Sequence, residues 1–282
     1  MKRLPEIFGA HIGPSRGHTR SLGIAALIVI LSGTAAAQVT LTGTSYVQDF
    51  NGLGGALPTG WSVTTAATAN SLGTSASFQS APTNWSASLS TEPRSFRNIA
   101  SNNIASGANA ATQSADSDRA LGWRPGDAAS RNGAVTLAIA NTTGFTNFNV
   151  SISLFSPNNV SNDQTYAFEY RVGNSGAFTQ LGSTYTTGTV FGAATITANS
   201  ITLSALNDQH SPVYFRIRGA ASSGTSSSGL DVLGIDSFNL SFSGTSIPEP
   251  ATNAVVVGLI IFAGAMVRRR CRIKKPVAPT RA

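Results

Sequence analysis

Residues 166–181 read Tyr166-Ala167-Phe168-Glu169-Tyr170-Arg171-Val172-Gly173-Asn174-Ser175-Gly176-Ala177-Phe178-Thr179-Gln180-Leu181. Tyr166, Phe168, Tyr170 and Val172 alternate with Ala167, Glu169 and Arg171, the period of two that sends successive side chains to opposite faces of a strand. Gly173-Asn174-Ser175-Gly176 is a turn sequence, and Phe178 and Leu181 open a return strand, so the stretch is a β-hairpin. Outward from it the same period recurs. Upstream, Val135, Leu137 and Ile139 alternate with Thr and Ala, and Phe148, Val150, Ile152 and Leu154 with Asn and Ser. Downstream come Ile201 and Leu203, then Val213, Phe215 and Ile217, whose alternates Tyr214, Arg216 and Arg218 face the other way. Leu233, Ile235, Phe238, Leu240 and Phe242 form a closing strand, with a kink expected near Asp236. Tyr46 to Phe50, Trp61 to Val63 and Leu121 to Trp123 are shorter and less regular strands.

Many short strands joined by Gly- and Ser-rich turns indicate a β-sandwich or jelly roll. The expected fold is all-β: a single jelly-roll-like sandwich over residues 38–246. Residues 64–77, 98–115 and 220–229 are of low complexity and read as loops. Residues 99–118 are the one stretch long enough for a helix, and their Asn, Ser and Gly speak against it. Composition agrees. Of 282 residues 41% are hydrophobic but only 11% charged, well below the quarter usual in globular chains. That excludes a coiled coil or helical bundle, which need Glu, Lys, Leu and Arg in bulk. Fourteen Phe, five Tyr and three Trp supply a core.

The net charge of +7 is unevenly placed. Residues 1–37 carry +3, residues 247–282 carry +6, and the body, 38–246, carries −2. A nucleic-acid binder needs its cations on the domain that meets phosphate; this body lacks them, so no nucleic-acid partner is expected.

The two basic ends read as targeting segments. After a basic start, Leu22 to Leu31 is ten residues without charge or hydroxyl, followed by Ser32-Gly33-Thr34-Ala35-Ala36-Ala37. A basic region, a short apolar run and a small-residue site make a secretory signal peptide, with Ala35 and Ala37 at the cleavage site and the cut after Ala37. At the other end stand Pro248-Glu249-Pro250, then Ala251 to Val267 without a charge, then Arg268-Arg269-Arg270. Seventeen residues as a helix span about 25 Å, enough to cross a membrane with snorkelling flanks. Arg268, Arg269 and Arg270 stay in the cytoplasm and place the body across the membrane, the side the signal peptide also demands. The prolines keep the tripeptide extended.

Pro248-Glu249-Pro250, a short apolar helix and the Arg run resemble the PEP-CTERM sorting signal. The resemblance covers about 25 residues. It implies a substrate of exosortase, a membrane enzyme of Gram-negative, biofilm-forming bacteria, which would recognise Pro248-Glu249-Pro250 and remove the tail. The chain is then expected to meet the secretion machinery, signal peptidase and an exosortase-like enzyme. It would be anchored transiently in the inner membrane with residues 268–282 in the cytoplasm. Its body would go to the cell surface or extracellular matrix, in a structural or adhesive role linked to exopolysaccharide; a carbohydrate-binding, lectin-like module is the alternative. Gln48 to Leu53, Leu57 to Trp61, Phe168 to Val172 and Gly234 to Phe238 are also similar to segments of secreted bacterial jelly rolls.

The body offers little catalytic chemistry. It contains no cysteine, since Cys271 lies in the tail, so neither a disulfide nor a cysteine zinc site is available. His210, in a polar loop, is the only histidine after Ala37, and no Gly-x-Ser-x-Gly elbow accompanies it. Of two glutamates, Glu92 and Glu169, the second is expected on the solvent face of its strand, paired with an arginine. A non-enzymatic protein is therefore expected, with a secreted hydrolase as the remote third reading. Asp116, Asp118 and Arg119 cluster in sequence, and Asp231 and Asp236 flank the last strand. Asp49 and Asp236 are candidate ligands for a structural calcium ion, which takes carboxylate and carbonyl oxygens; the other reading is turn-capping aspartates. No other cofactor is expected. Trp61 and Trp123 adjoin strands and read as core, while Trp85, in a loop, is the candidate for an exposed sugar-stacking platform.

Overall fold

The computed structural model describes residues 37–85, 96–105, 107–125, 132–157, 163–188, 192–201, 203–222 and 231–245. The segments 1–36 and 246–282, which hold Ala35, the tripeptide Pro248-Glu249-Pro250, the apolar run 251–267, Arg268, Arg269, Arg270 and Cys271, lie outside the described residues, as does Glu92. Among the described residues no helix is long and apolar enough to cross a membrane.

Among the described residues fourteen strands form two seven-stranded sheets, so the described body is a β-sandwich. The strands are β1 (Ser45–Gln48), β2 (Trp61–Thr65), β3 (Thr74–Ser75), β4 (Phe78–Thr83), β5 (Phe96–Ala100), β6 (Arg119–Trp123) and β7 (Ala134–Ile139). Then follow β8 (Phe145–Ser156), β9 (Gln164–Val172), β10 (Thr179–Gln180), β11 (Tyr185–Thr186), β12 (Gly192–Ala198), β13 (Val213–Ser222) and β14 (Leu233–Gly244). One sheet runs β12-β8-β14-β6-β5-β4, with β1 beside the second half of β14; it is called the β14 sheet below. The other runs β10-β9-β13-β7-β2-β3, with β11 also on β9, and is the β13 sheet. All pairings between named strands are antiparallel except β4 with β5.

The hairpin at 166–181 is present: β9 turns through Gly173 and Gly176, both at positive φ, into β10. The closing strand also forms, and its kink has a cause in register. Leu233 and Ile235 point into the core, and so do Phe238, Leu240 and Phe242. The inward set changes parity, which a strict period of two forbids without an extra residue. The register of β14 against β8 shifts between Ile235 and Ser237, a β-bulge centred on Asp236. One expected strand is absent among the described residues. Ile201 lies in a turn with 86% of its surface exposed, and Leu203 precedes a short 3-10 turn, Ser204–Leu206. The strand stands earlier, at β12, where Ile196 and Ala198 point inward. Residues 64–77 and 98–115 are not all loop: they hold β3 and the end of β5, and Ala110–Ala115 form α1, whose N-terminus is capped by Asn109 accepting from the Thr112 N–H at 2.9 Å.

Between the sheets lies one core in which Phe238 is the hub. Its ring centroid is 5.5 Å from that of Trp61, 5.6 Å from Phe215, 6.1 Å from Tyr46 and 6.4 Å from Phe168. Trp61 and Trp123 are core residues, as their strand positions imply. A second, smaller cluster sits on the opposite face of the β14 sheet: Trp85, Ile99, Ala100, Ala120, Phe155 and Val232. It lies directly on Gly122 and Gly234, which face each other across β6 and β14. A Cβ on Gly122 would stand 2.7 Å from the Ile99 side chain, and one on Gly234 would stand 2.1 Å from the Phe155 ring. Both glycines are there because apolar side chains rest on the bare backbone.

Candidate functional site

The bulge in β14 aims Asp236 at two other loops. The Ser101 hydroxyl donates to Asp236 Oδ1, and Asp118, just before β6, accepts from the Asn103 amide at Oδ2. Asp49, after β1, accepts from the Asn51 backbone and side chain at 3.1 and 3.3 Å. Asn51 in turn accepts from the Arg119 N–H at 2.7 Å, which ties the Asp49 loop to the start of β6. Burial pushes the Asp236 carboxyl above its ordinary range, the Ser101 hydrogen bond opposes this, and the charges of Asp118 and Asp49 push it further up. The candidate pair Asp49 and Asp236 is thus brought within electrostatic reach, and Asp118 joins it. Among the described residues, no three carboxylate, imidazole or thiol side chains are gathered as a metal-binding group. Asp231 belongs to a different place: it is fully buried and acts on Tyr185, Tyr166 and Arg124. Burial and then the Asp231 charge raise the Tyr185 hydroxyl to about 12.

Trp85 is not an exposed platform. It is 1% exposed and packs in the second cluster. The Gln113 side chain from α1 accepts from its backbone N–H at 2.8 Å. The residue lies in a loop, but α1 and β5 close over that loop. Arg119 fastens the same region by donating to Asn98 Oδ1 at 2.7 Å, to the Gln113 carbonyl at 2.8 Å and to the Asn98 carbonyl at 2.9 Å.

Glu169 pairs with arginine, but it does not face solvent. It is buried on the outer face of the β13 sheet, where Arg216 donates to Oε2 at 2.7 Å and Arg218 to Oε1 at 2.8 Å. Segment 66–73 lies across this face. Arg216 also donates to the Ser71 and Thr68 carbonyls at 2.8 Å each, and Arg171 to the Asn70 carbonyl at 3.2 Å. The Phe178 ring completes the cover, 3.4 Å from the Arg216 guanidinium carbon and 4.4 Å from that of Arg171. Burial lowers Arg216 to about 10; the Glu169 charge and hydrogen bond oppose this, and Arg218 and Arg171 reinforce it. His210 is exposed, as its loop implies, with Nδ1 3.0 Å from the Thr143 hydroxyl.

The outer face of the β14 sheet differs. Where the second cluster ends, the outward side chains of β12, β8, β14 and β1 stand in register. Thr195, Ser153 and Ser237 form one row, Thr197, Ser151, Asn239 and Val47 the next, and Asn149, Ser241 and Ser45 a third. All are exposed or half-buried, and Val47 is 60% exposed. Sequence reading gave these positions only as polar alternates of core residues; that they share one uncovered face depends on strand order.

No family model matches the chain, and no curated protein does. Among solved structures, a xylan-binding module, CBM15, is similar at 11% identity and TM-score 0.38 over 72% of this chain and all of its own. A carbohydrate-binding module specific for non-crystalline cellulose, CBM28, is similar at 13% identity and TM-score 0.32, over 58% of this chain and 89% of its own. The K3 cleaved adhesin domain of Lys-gingipain from Porphyromonas gingivalis is similar at 10% identity and TM-score 0.28, over 44% of this chain and 74% of its own. Likenesses this distant identify neither a ligand nor an activity for the chain.

Proposed function

We propose that the chain is an exported, non-enzymatic β-sandwich sorted by a PEP-CTERM-type tail to the cell surface or matrix, where it adheres to exopolysaccharide. The observation that carries this reading is the order of segments in the sequence: signal peptide, body, Pro248-Glu249-Pro250, apolar run, then Arg268-Arg269-Arg270. Two elements at opposite ends demand the same topology. Signal peptidase cuts after Ala37, and an exosortase-like enzyme acts at the tripeptide. The chemistry of the body supports a binding role over a hydrolytic one. Its Glu169 is held by two arginines, which leaves that carboxylate committed to ion pairs. Carbohydrate binding is the molecular half of the reading, and the uncharged open face of the β14 sheet favours it.

A structural calcium ion at Asp49 and Asp236 belongs to the same reading. Its support is that, beyond the effect of burial, the charges of Asp118 and Asp49 also raise Asp236, a repulsion that a cation relieves. The processing half is tested by the intact mass of the protein from its native host. The mature chain should begin at Gln38 and lack residues 251–282. A mature mass that retains Arg268 to Ala282 would leave a plain membrane anchor instead.

A further inference from the structure

We propose that the three rows of Ser, Thr and Asn on the outer face of the β14 sheet are the adhesive surface, and that their ligand is an uncharged, extended polysaccharide. This rests on the glycan-binding reading above and names the site and substrate class within it.

Nine of the ten side chains in these rows are Ser, Thr or Asn: Thr195, Ser153, Ser237, Thr197, Ser151, Asn239, Asn149, Ser241 and Ser45. The tenth is Val47. None is charged. The core does not require this choice, because these are the outward alternates of Val150, Ile152, Leu240 and Phe238, and any polar residue would satisfy the strand. Each hydroxyl both donates and accepts, and so does each amide. That is also the chemistry of a sugar hydroxyl. The side chains are short, so they lose little rotamer freedom when a ligand orders them. Some already interact along a row: the Thr195 and Ser153 hydroxyls are 3.4 Å apart.

The pattern repeats in two directions, about 4.8 Å from strand to strand and about 6.8 Å between alternate residues of one strand. A surface that repeats is matched by a partner that repeats, which points to a polymer. Charge then selects among polymers. The rows hold no cation to meet a uronate or a sulfate, and residues 38–246 carry a net −2, so an acidic chain gains nothing there. A protein partner, including a second copy of this chain, would want an apolar or aromatic centre; Val47 alone, at the end of a row, does not make one. The outer face of the β13 sheet is not an alternative site, because segment 66–73 covers Arg171 and Arg216.

The test uses the full chain in detergent, the double variant Thr197→Lys/Asn239→Lys, which puts two cations in the middle row, and a control pair, Ser175→Lys/Gln180→Lys, at exposed positions on the other sheet. Each is bound to insoluble cellulose and mannan as neutral probes and to immobilised alginate as an acidic one, with circular dichroism to establish folding. The wild type and the control should be retained on at least one neutral polymer. The middle-row variant should lose that retention by at least about tenfold and gain retention on alginate. If the wild type binds a neutral polymer and the middle-row variant binds it equally well, the surface assignment fails and the glycan reading stands. If the wild type binds alginate alone, the assignment to uncharged ligands is overturned. Binding to none of the probes sinks the site and the glycan reading together. A self-associated wild type that the middle-row variant splits into monomers would show the face to be a contact between copies.

Discussion

The two sheets of this sandwich present unlike outer faces, although both follow the same alternation. On the β13 sheet the outward positions of β9 and β13 carry Glu169, Arg171, Arg216 and Arg218, and segment 66–73 covers Arg171 and Arg216 with backbone carbonyls. On the β14 sheet, beyond the second cluster, the outward positions of β8, β12 and β14 carry Ser, Thr and Asn and remain open. Guanidinium groups beside apolar rings need acceptors once water is excluded, since a buried charge without partners is costly. The cover therefore supplies carbonyls and a carboxylate, and the charged face becomes interior. The neutral face makes no such demand, so it stays at the surface and is available to bind.

The largest effect is expected where the covered face is broken. Glu169→Ala leaves Arg216, whose side chain has no exposed surface, without its counter-charge. Breaking one side of such a pair costs about 3–5 kcal/mol, to be read from the urea midpoint; Ser151→Ala on the open face should change stability by less than about 0.5 kcal/mol. Equal costs at the two positions would erase the contrast between the faces.

Next comes the cover itself. Gly73 has φ +92°, and a Cβ there would stand 2.3 Å from the Thr65 carbonyl oxygen. Gly73→Ala should therefore destabilise by about 1–3 kcal/mol and speed proteolysis within 66–73. An unchanged digestion pattern would mean that the cover does not depend on this turn.

A smaller effect concerns Asp236. Its folded-state carboxyl is raised by burial and by Asp118 and Asp49, so the folded chain holds that proton more tightly than the unfolded one. The favourable contribution is present at low pH and is lost as pH rises through the folded-state value. In EDTA at pH 7, Asp236→Asn should raise Tm by roughly 1–3 °C, a gain that fades as pH falls toward 4. With calcium in excess the sign should reverse, because wild type alone gains the ion's binding energy. A variant that is more stable in both conditions would end the calcium reading. The smallest effect is expected for Thr197→Lys/Asn239→Lys, whose stability should stay within about 1 kcal/mol of wild type while its glycan retention collapses.

Much of this fold was legible because the large apolar side chains of its central strands fall on one face. β7, β8, β9, β13 and β14 alternate cleanly, and even the bulge at Asp236 follows from the change of parity between Ile235 and Phe238. β5 was missed because both its faces are buried: Phe96 enters the main core and Ile99 the second cluster, so no alternation marks it. β4 was missed because its side chains are mostly exposed and Pro82 interrupts it. The environments of Glu169 and Trp85 were not legible for a shared reason. Period and loop context place a side chain on a face, but what covers that face comes from elsewhere in the chain, from 66–73 in one case and α1 in the other. Asp118 was visible only as a neighbour of Asp116; its approach to Asp236 depends on the order β8-β14-β6-β5.

If the open face of the β14 sheet is the adhesive one, titrating a soluble neutral oligosaccharide into the isotopically labelled full chain will perturb the backbone amide resonances of that face. Shifts should concentrate at Ser151, Ser153, Thr195, Thr197, Asn239 and Ser241 and leave Glu169, Arg171 and Arg216 unmoved. Shifts centred instead on Asp49, Asp118 and Asp236, or on the β13 sheet, would contradict it.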